Sequence, residues 1–129
     1  MKIITASTPE QQEYVMHMTN HLYQNIFPYF FNKDHMASLH HSGVMNAQGI
    51  EEYSLQDILE VTAALQTIEA VLECLLEGND ELHHAERFEE NRRILEKRNW
   101  YFPFYYTDFK ESLTGNMFKQ VKPDNDWIL

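Results

Sequence analysis

Leu55-Gln-Asp-Ile-Leu-Glu-Val-Thr-Ala-Ala-Leu-Gln-Thr-Ile-Glu-Ala-Val-Leu-Glu-Cys-Leu-Leu-Glu77 decides the fold class. Ile58, Val61, Leu65, Ile68, Leu72 and Leu75 recur at alternating spacings of three and four, the seam of one helix face. Leu55, Leu59, Ala64, Val71 and Leu76 widen that face beyond a narrow zipper seam, so the spacing predicts a central core helix. Ser54 with Asp57 marks its start and Gly78 its end. Gly78-Asn79-Asp80 then predicts a tight connection, with Asp80 capping a further helix from Glu81 to Arg98. Leu82, Ala85, Phe88 and Leu95 are its expected inward positions. Together, Leu55 to Arg98 reads as an antiparallel αα-hairpin.

Charge agrees with that pairing. Residues 1–86 carry two basic and thirteen acidic groups, whereas residues 87–129 carry eight and seven. Arg87, Arg92, Arg93, Lys97 and Arg98 cluster on the second helix of the hairpin, opposite Glu60, Glu69, Glu73 and Glu77 on the first. Antiparallel pairing brings Glu60 towards Lys97 or Arg98, and Glu69 towards Arg87. The basic run is interrupted by Glu86, Glu89, Glu90 and Glu96, which argues for pairing within the chain over a phosphate-binding stripe.

Outward from the hairpin, Thr8-Pro9-Glu10-Gln11 predicts a helix start, with Thr8 and Gln11 forming a capping box. Val15, Met18, Leu22 and Ile26 continue it at helical spacing, widened by Tyr14 and Tyr23, until Pro28 ends it near Asn25. A short helix is expected from an Asp34 cap to Gly43, then a loop over Val44–Tyr53. Lys2–Ala6 is β-branched and predicts one short strand. The tail from Ser112 contains Gly115 and Pro123 and ends Trp127-Ile128-Leu129, an apolar terminus of the kind that docks. The expected fold is mainly α, with three to four helices around the hairpin in a single helical domain over residues 1–129.

Seven of the ten residues from Trp100 to Phe109 are aromatic, with Pro103 in their midst. Phe27-Pro-Tyr-Phe-Phe31 echoes Phe102-Pro-Phe-Tyr-Tyr106, and an aspartate follows each. Both read as a helix exit, a turn and a capped re-entry. Such rings either complete the core or form an interface. Trp100, Tyr101, Tyr105 and Tyr106, each with an apolar body and a polar tip, are the expected protein-binding residues. At least two of them are expected to stay exposed.

The composition narrows the function classes. The 129 residues carry a net charge of -10 and 43% apolar residues. That balance disfavours nucleic acid and anionic membrane surfaces as partners. The single cysteine, Cys74, permits no internal disulfide and suits a reducing compartment. The apolar opening, Met1-Lys-Ile-Ile4, is too short for a secretion signal. Gly43, Gly49, Gly78 and Gly115 are the only glycines, so neither a phosphate loop nor a dinucleotide fingerprint forms. The opening strand-then-helix order suits an acetyltransferase, but the glycine-containing pyrophosphate loop is missing. No Gly-x-Ser-x-Gly elbow occurs, and Glu51-Glu52 and Glu89-Glu90 are adjacent pairs that diverge on a helix.

Among seven histidines, His17 and His21 share a helix face at a spacing that suits a transition metal. The residue after His17 is Met18 where zinc proteases have glutamate. Glu81-Leu-His-His84 has the Glu-x-x-His spacing of di-iron bundles, but in one copy. A site from His17, His21, Glu81 and His84 requires the first and fourth helices to meet. Spacing along the chain assembles no set of three or four ligands, so no metal or cofactor is assigned.

Met1-Lys-Ile-Ile-Thr-Ala-Ser7, Leu22-Tyr-Gln-Asn-Ile-Phe-Pro28, the long hairpin and Tyr101-Phe-Pro-Phe104 together resemble the small acidic YhcU-like proteins of bacilli. The resemblance covers most of the chain. It implies a bacterial cytosolic protein and brings no active-site residue with it. The function expected is a small non-catalytic cytoplasmic interaction or regulatory protein, binding a protein partner or a second copy of itself through its aromatic surface. The alternative is a metal-binding helical protein using His17, His21 and His84.

Overall fold

A computed structural model describes residues 5–42 and 49–119. The chain is mainly α, and the described residues hold five helices. These are α1 (Pro9–Asn25), α2 (Lys33–Ser42), α3 (Leu55–Leu76), α4 (His84–Glu96) and α5 (Tyr106–Lys119), with short 3-10 turns at Phe27–Tyr29 and Ile50–Glu52. Helix starts follow the local chemistry. Thr8 and Ser54 each accept from the backbone N–H three residues on, while Gln11 and Asp57 reach back to the cap's own N–H. Those four bonds satisfy donors that the first helical turn leaves over.

Helix ends are equally local. Gly78 lies in the left-handed region at φ 89, and Asn99 at φ 63. Past α3, Gly78 N–H donates to Leu75 and Asn79 N–H to Cys74; past α4, Asn99 N–H donates to Glu96 and Trp100 N–H to Leu95. Both endings are Schellman motifs, and in the second Trp100 follows the turn into the core beside Leu95.

Ile58, Val61, Ala64, Leu65, Ile68, Val71 and Leu72 of α3 are buried, together with Val15, Met18 and Leu22 of α1 and Phe88 and Leu95 of α4. α4 lies along α3, and Arg98, just past its end, bonds Asp57 and Glu60 in the first turns of α3. Leu59 departs from the expected face and is exposed.

Several boundaries differ from the sequence reading. α4 begins at His84, not Glu81, because Asp80 is engaged elsewhere: it accepts from the Tyr106 hydroxyl at 2.8 Å and pairs with Lys110. Leu82 therefore falls in the connection and is 89% exposed instead of facing inward. α2 is capped by Asn32, whose Oδ1 accepts from His35 N–H at 2.8 Å, leaving Asp34 in the first turn. Helices number five among the described residues, not three to four, because the re-entry expected near Asp108 continues as α5 through the stretch from Ser112 that was expected to be a tail. The Glu89 carboxylate accepts from Tyr106 N–H at its start, Phe109 anchors it in the core, and it runs on through Gly115. One glycine within a helix costs only about 1 kcal/mol.

The expected strand at residues 2–6 lies largely outside the described residues. What is described is one antiparallel bridge, Ala6 to Ser54, flanked by bonds from Ser7 N–H to Tyr53 and from Leu55 N–H to Thr5. The expected stop at Gly43 and the apolar C-terminus also fall outside them.

Candidate functional site

α1 and α3 pack through Val15, Met18 and Leu22, and a groove of about 400 Å³ runs beside that contact. Tyr14, His17 and His21 line it from α1, and Gln66, Glu69 and Glu73 from α3. Each set repeats at three- and four-residue steps, so each forms one edge of its helix. The Tyr14 hydroxyl accepts from Gln66 Nε2 at 3.2 Å, which ties the two edges together.

His21 Nε2 lies 3.1 Å from Glu69 Oε1. On the other side of the ring, Nδ1 lies 3.0 Å from Asn25 Nδ2. With the asparagine amide donating, the ring proton sits on Nε2 and points at the carboxylate. His21, Glu69 and Glu73 offer ligand atoms within 4.8 Å of one another. Burial pushes the Glu69 carboxyl above its ordinary value, the neighbouring Glu73 pushes the same way, and His21 opposes both. No lysine or arginine is among the residues lining the groove. It is an acidic recess with imidazoles on its opposite wall.

The composite site of His17, His21, Glu81 and His84 does not form. α1 packs on α3, and His84 is buried at the start of α4, where its Nδ1 accepts from Glu81 N–H at 3.3 Å. His84 closes its own turn. His17 and His21 instead meet Glu69 and Glu73, two residues that the sequence reading assigned to the hairpin. Glu69 pairs with His21, not Arg87. The structure thus brings His21, Glu69 and Glu73 together from two helices, a grouping that spacing along the chain does not reveal. The available signal was two polar pairs at i, i+4 spacing, His17/His21 and Glu69/Glu73, each at the border of an apolar stripe.

The aromatic segment divides. Phe102 and Phe104 pack edge-on against Phe27, with centroids at 5.4 and 5.7 Å, and Phe104 stacks on Phe109 at 4.9 Å. The phenylalanines of the two aromatic echoes thus form one core. Trp100 and Tyr106 join it at 1% and 2% exposure, which corrects their expected place on the protein-binding surface. Their rings shelter against the helices, and the Tyr106 hydroxyl donates to Asp80. Tyr101 and Tyr105 remain outside at 57% and 53% exposure. The Arg92 guanidinium sits 4.4 Å over the Tyr105 ring and is itself held by Glu89 at 2.8 Å and Glu96 at 2.6 Å.

Residues 1–114 match the model of a family of unknown function, DUF5365. The chain belongs to that family. The DUF5365 match takes in both walls of the groove and the whole aromatic segment. The chain is also 26% identical over 121 residues to the uncharacterised protein YhcU of Bacillus subtilis, covering 93% of this chain and 92% of that one. No solved structure matches the chain. Among the described residues no helix is long and apolar enough to cross a membrane.

Proposed function

We propose that the chain is a small, non-catalytic protein of the bacterial cytosol that works by binding another protein through Tyr101 and Tyr105. One observation carries this reading. In a segment whose phenylalanines, Trp100 and Tyr106 all turn inward, these two rings stay more than half exposed, and Tyr105 is braced by Arg92. A ring already fixed in place loses less freedom on binding, and tyrosine is suited to contact centres. A partner of different chemistry is favoured over a second copy, because two chains of net charge -10 repel each other.

The test is capture from a lysate of the source organism by wild type, Tyr101→Ala, Tyr105→Ala and the surface control Leu82→Ala. Each is first checked for unchanged helicity. A protein retained by wild type and Leu82→Ala, and lost with either tyrosine variant, supports the reading. Equal retention by all four, or loss with Leu82→Ala as well, overturns it.

A further inference from the structure

We propose that the groove between α1 and α3 is a binding site for a first-row transition-metal dication, with His21, Glu69 and Glu73 as ligands and His17 completing the set. Four features of the groove lead there. Three ligand atoms from two helices already lie within 4.8 Å of one another. Side chains that line an open groove need only a rotamer adjustment to close around an ion at ordinary bond lengths of about 2.0–2.2 Å. His17 stands one turn before His21 on the same wall. Among the described residues no lysine or arginine lines the groove, so only the His21 pair offsets the two carboxylates.

The donor set selects among metals. Two imidazoles with two carboxylates suit zinc, nickel, cobalt or copper, whereas magnesium and calcium prefer oxygen throughout. The metal takes the place of the proton that His21 Nε2 now directs at Glu69. The ring changes tautomer by exchange with solvent: Nε2 gives up its proton, Nδ1 takes one up, and the neutral imidazole binds the metal through the Nε2 lone pair. Asn25, 3.0 Å from Nδ1, turns its amide so that the oxygen accepts that N–H. The result is the outer support that metal-bound histidines usually have. Glu69 and Glu73 then face a dication and no longer face each other alone.

Calorimetric titration of the untagged, chelator-treated protein with Zn²⁺ tests the proposal, with Co²⁺ absorption as a second readout. The expected result is one equivalent of Zn²⁺ bound with micromolar or tighter affinity, undisturbed by millimolar Mg²⁺. Binding should weaken at least tenfold in His21→Ala and in Glu69→Gln and stay unchanged in His83→Ala, which alters an exposed histidine outside the groove. Co²⁺ should give visible bands in wild type that are lost in His21→Ala. Circular dichroism confirms that each variant folds, and His21→Gln replaces His21→Ala if that variant does not. No binding below millimolar Zn²⁺ overturns the proposal. So does binding that persists unchanged in both groove variants, which places the metal elsewhere. The result is independent of protein capture through Tyr101 and Tyr105.

Discussion

Arg98 donates through Nη2 to the carboxylate of Glu60 at 2.7 Å, joining positions 38 apart in the sequence. The same nitrogen donates to Asp57 at 3.0 Å. For Asp57, the bond from Ser54 N–H is the largest influence holding the carboxyl below its ordinary 3.8, with Arg98 adding to it; for Glu60, Arg98 itself leads in holding it below 4.5. Both carboxyls are therefore depressed on folding. Their contribution to stability is present above those ordinary values and is lost as pH falls through the folded ones. Arg98→Met should lower the unfolding midpoint at pH 7 and flatten the loss of stability below about pH 4.5, the usual onset of carboxylate protonation. Urea melts of both proteins from pH 7 to pH 3 measure this. An acid limb as steep as that of wild type counts against it.

Leu72 is buried at the centre of the α3 seam. Leu72→Ala should destabilise the fold by about 2–5 kcal/mol, the range for a leucine whose cavity cannot collapse. A change below about 0.5 kcal/mol in denaturant unfolding, typical of a surface position, places the seam in solvent.

Neighbours in the aromatic segment should behave oppositely. Phe104 is buried among Phe27, Phe30, Phe88 and Phe109, and Phe104→Ala should destabilise by about 3–5 kcal/mol. Tyr105→Ala loses mainly the Arg92 contact, about 0.5–1 kcal/mol at an exposed site. Thermal melts of the two variants side by side decide the matter. Comparable losses contradict the division of this segment into core and surface.

Gly78 ends α3 at φ 89, with nothing within 4 Å of the place a Cβ would occupy. The penalty for a side chain there is in the backbone alone. Gly78→Ala should destabilise by about 1–2 kcal/mol. Gly78→Asn should recover part of that loss, because Asn99 already occupies the equivalent position past α4. Equal melting of Ala and Asn variants argues against the left-handed turn.

Glu69 runs the other way from Asp57. Its carboxyl is raised on folding, first by burial and then by Glu73. The protonated form favours the folded chain, so its contribution is full below the ordinary value of 4.5 and is lost as pH rises through the folded value. In metal-free protein, Glu69→Gln should therefore melt above wild type at pH 7, by a few degrees at most, and converge with it near pH 4. A lower melting point at pH 7 shows that the His21 pair outweighs burial.

Local signals were legible in the sequence. Thr8, Ser54 and Gly78 mark boundaries through bonds within a few residues, and the α3 seam is a period within one element. Boundaries set from a distance were not. α4 starts late because Asp80 is bound to Tyr106 and Lys110, far along the chain. α5 depends on Glu89 and on a place in the core for Phe109. The groove was hidden for the same reason, since pairing of His21 with Glu69 requires knowing that α1 packs on α3. The choice between core and surface among aromatics with similar side chains, Tyr105 and Tyr106, is likewise a property of the assembled fold.

The start of α3 is where two remote parts of the chain are fastened. Leu55 N–H is taken by Thr5, Asp57 serves both the Ser54 cap and Arg98, and Ser7 holds the carbonyl of Tyr53. A helix start free of such ties frays independently, and its amides exchange with solvent within moments. Here the first turn opens only when the amino-terminal segment and the end of α4 let go together. Deuterium uptake at these amides should follow the slow cooperative opening of the core, and removal of residues 1–7 should release α3 into rapid exchange from its first turn inward.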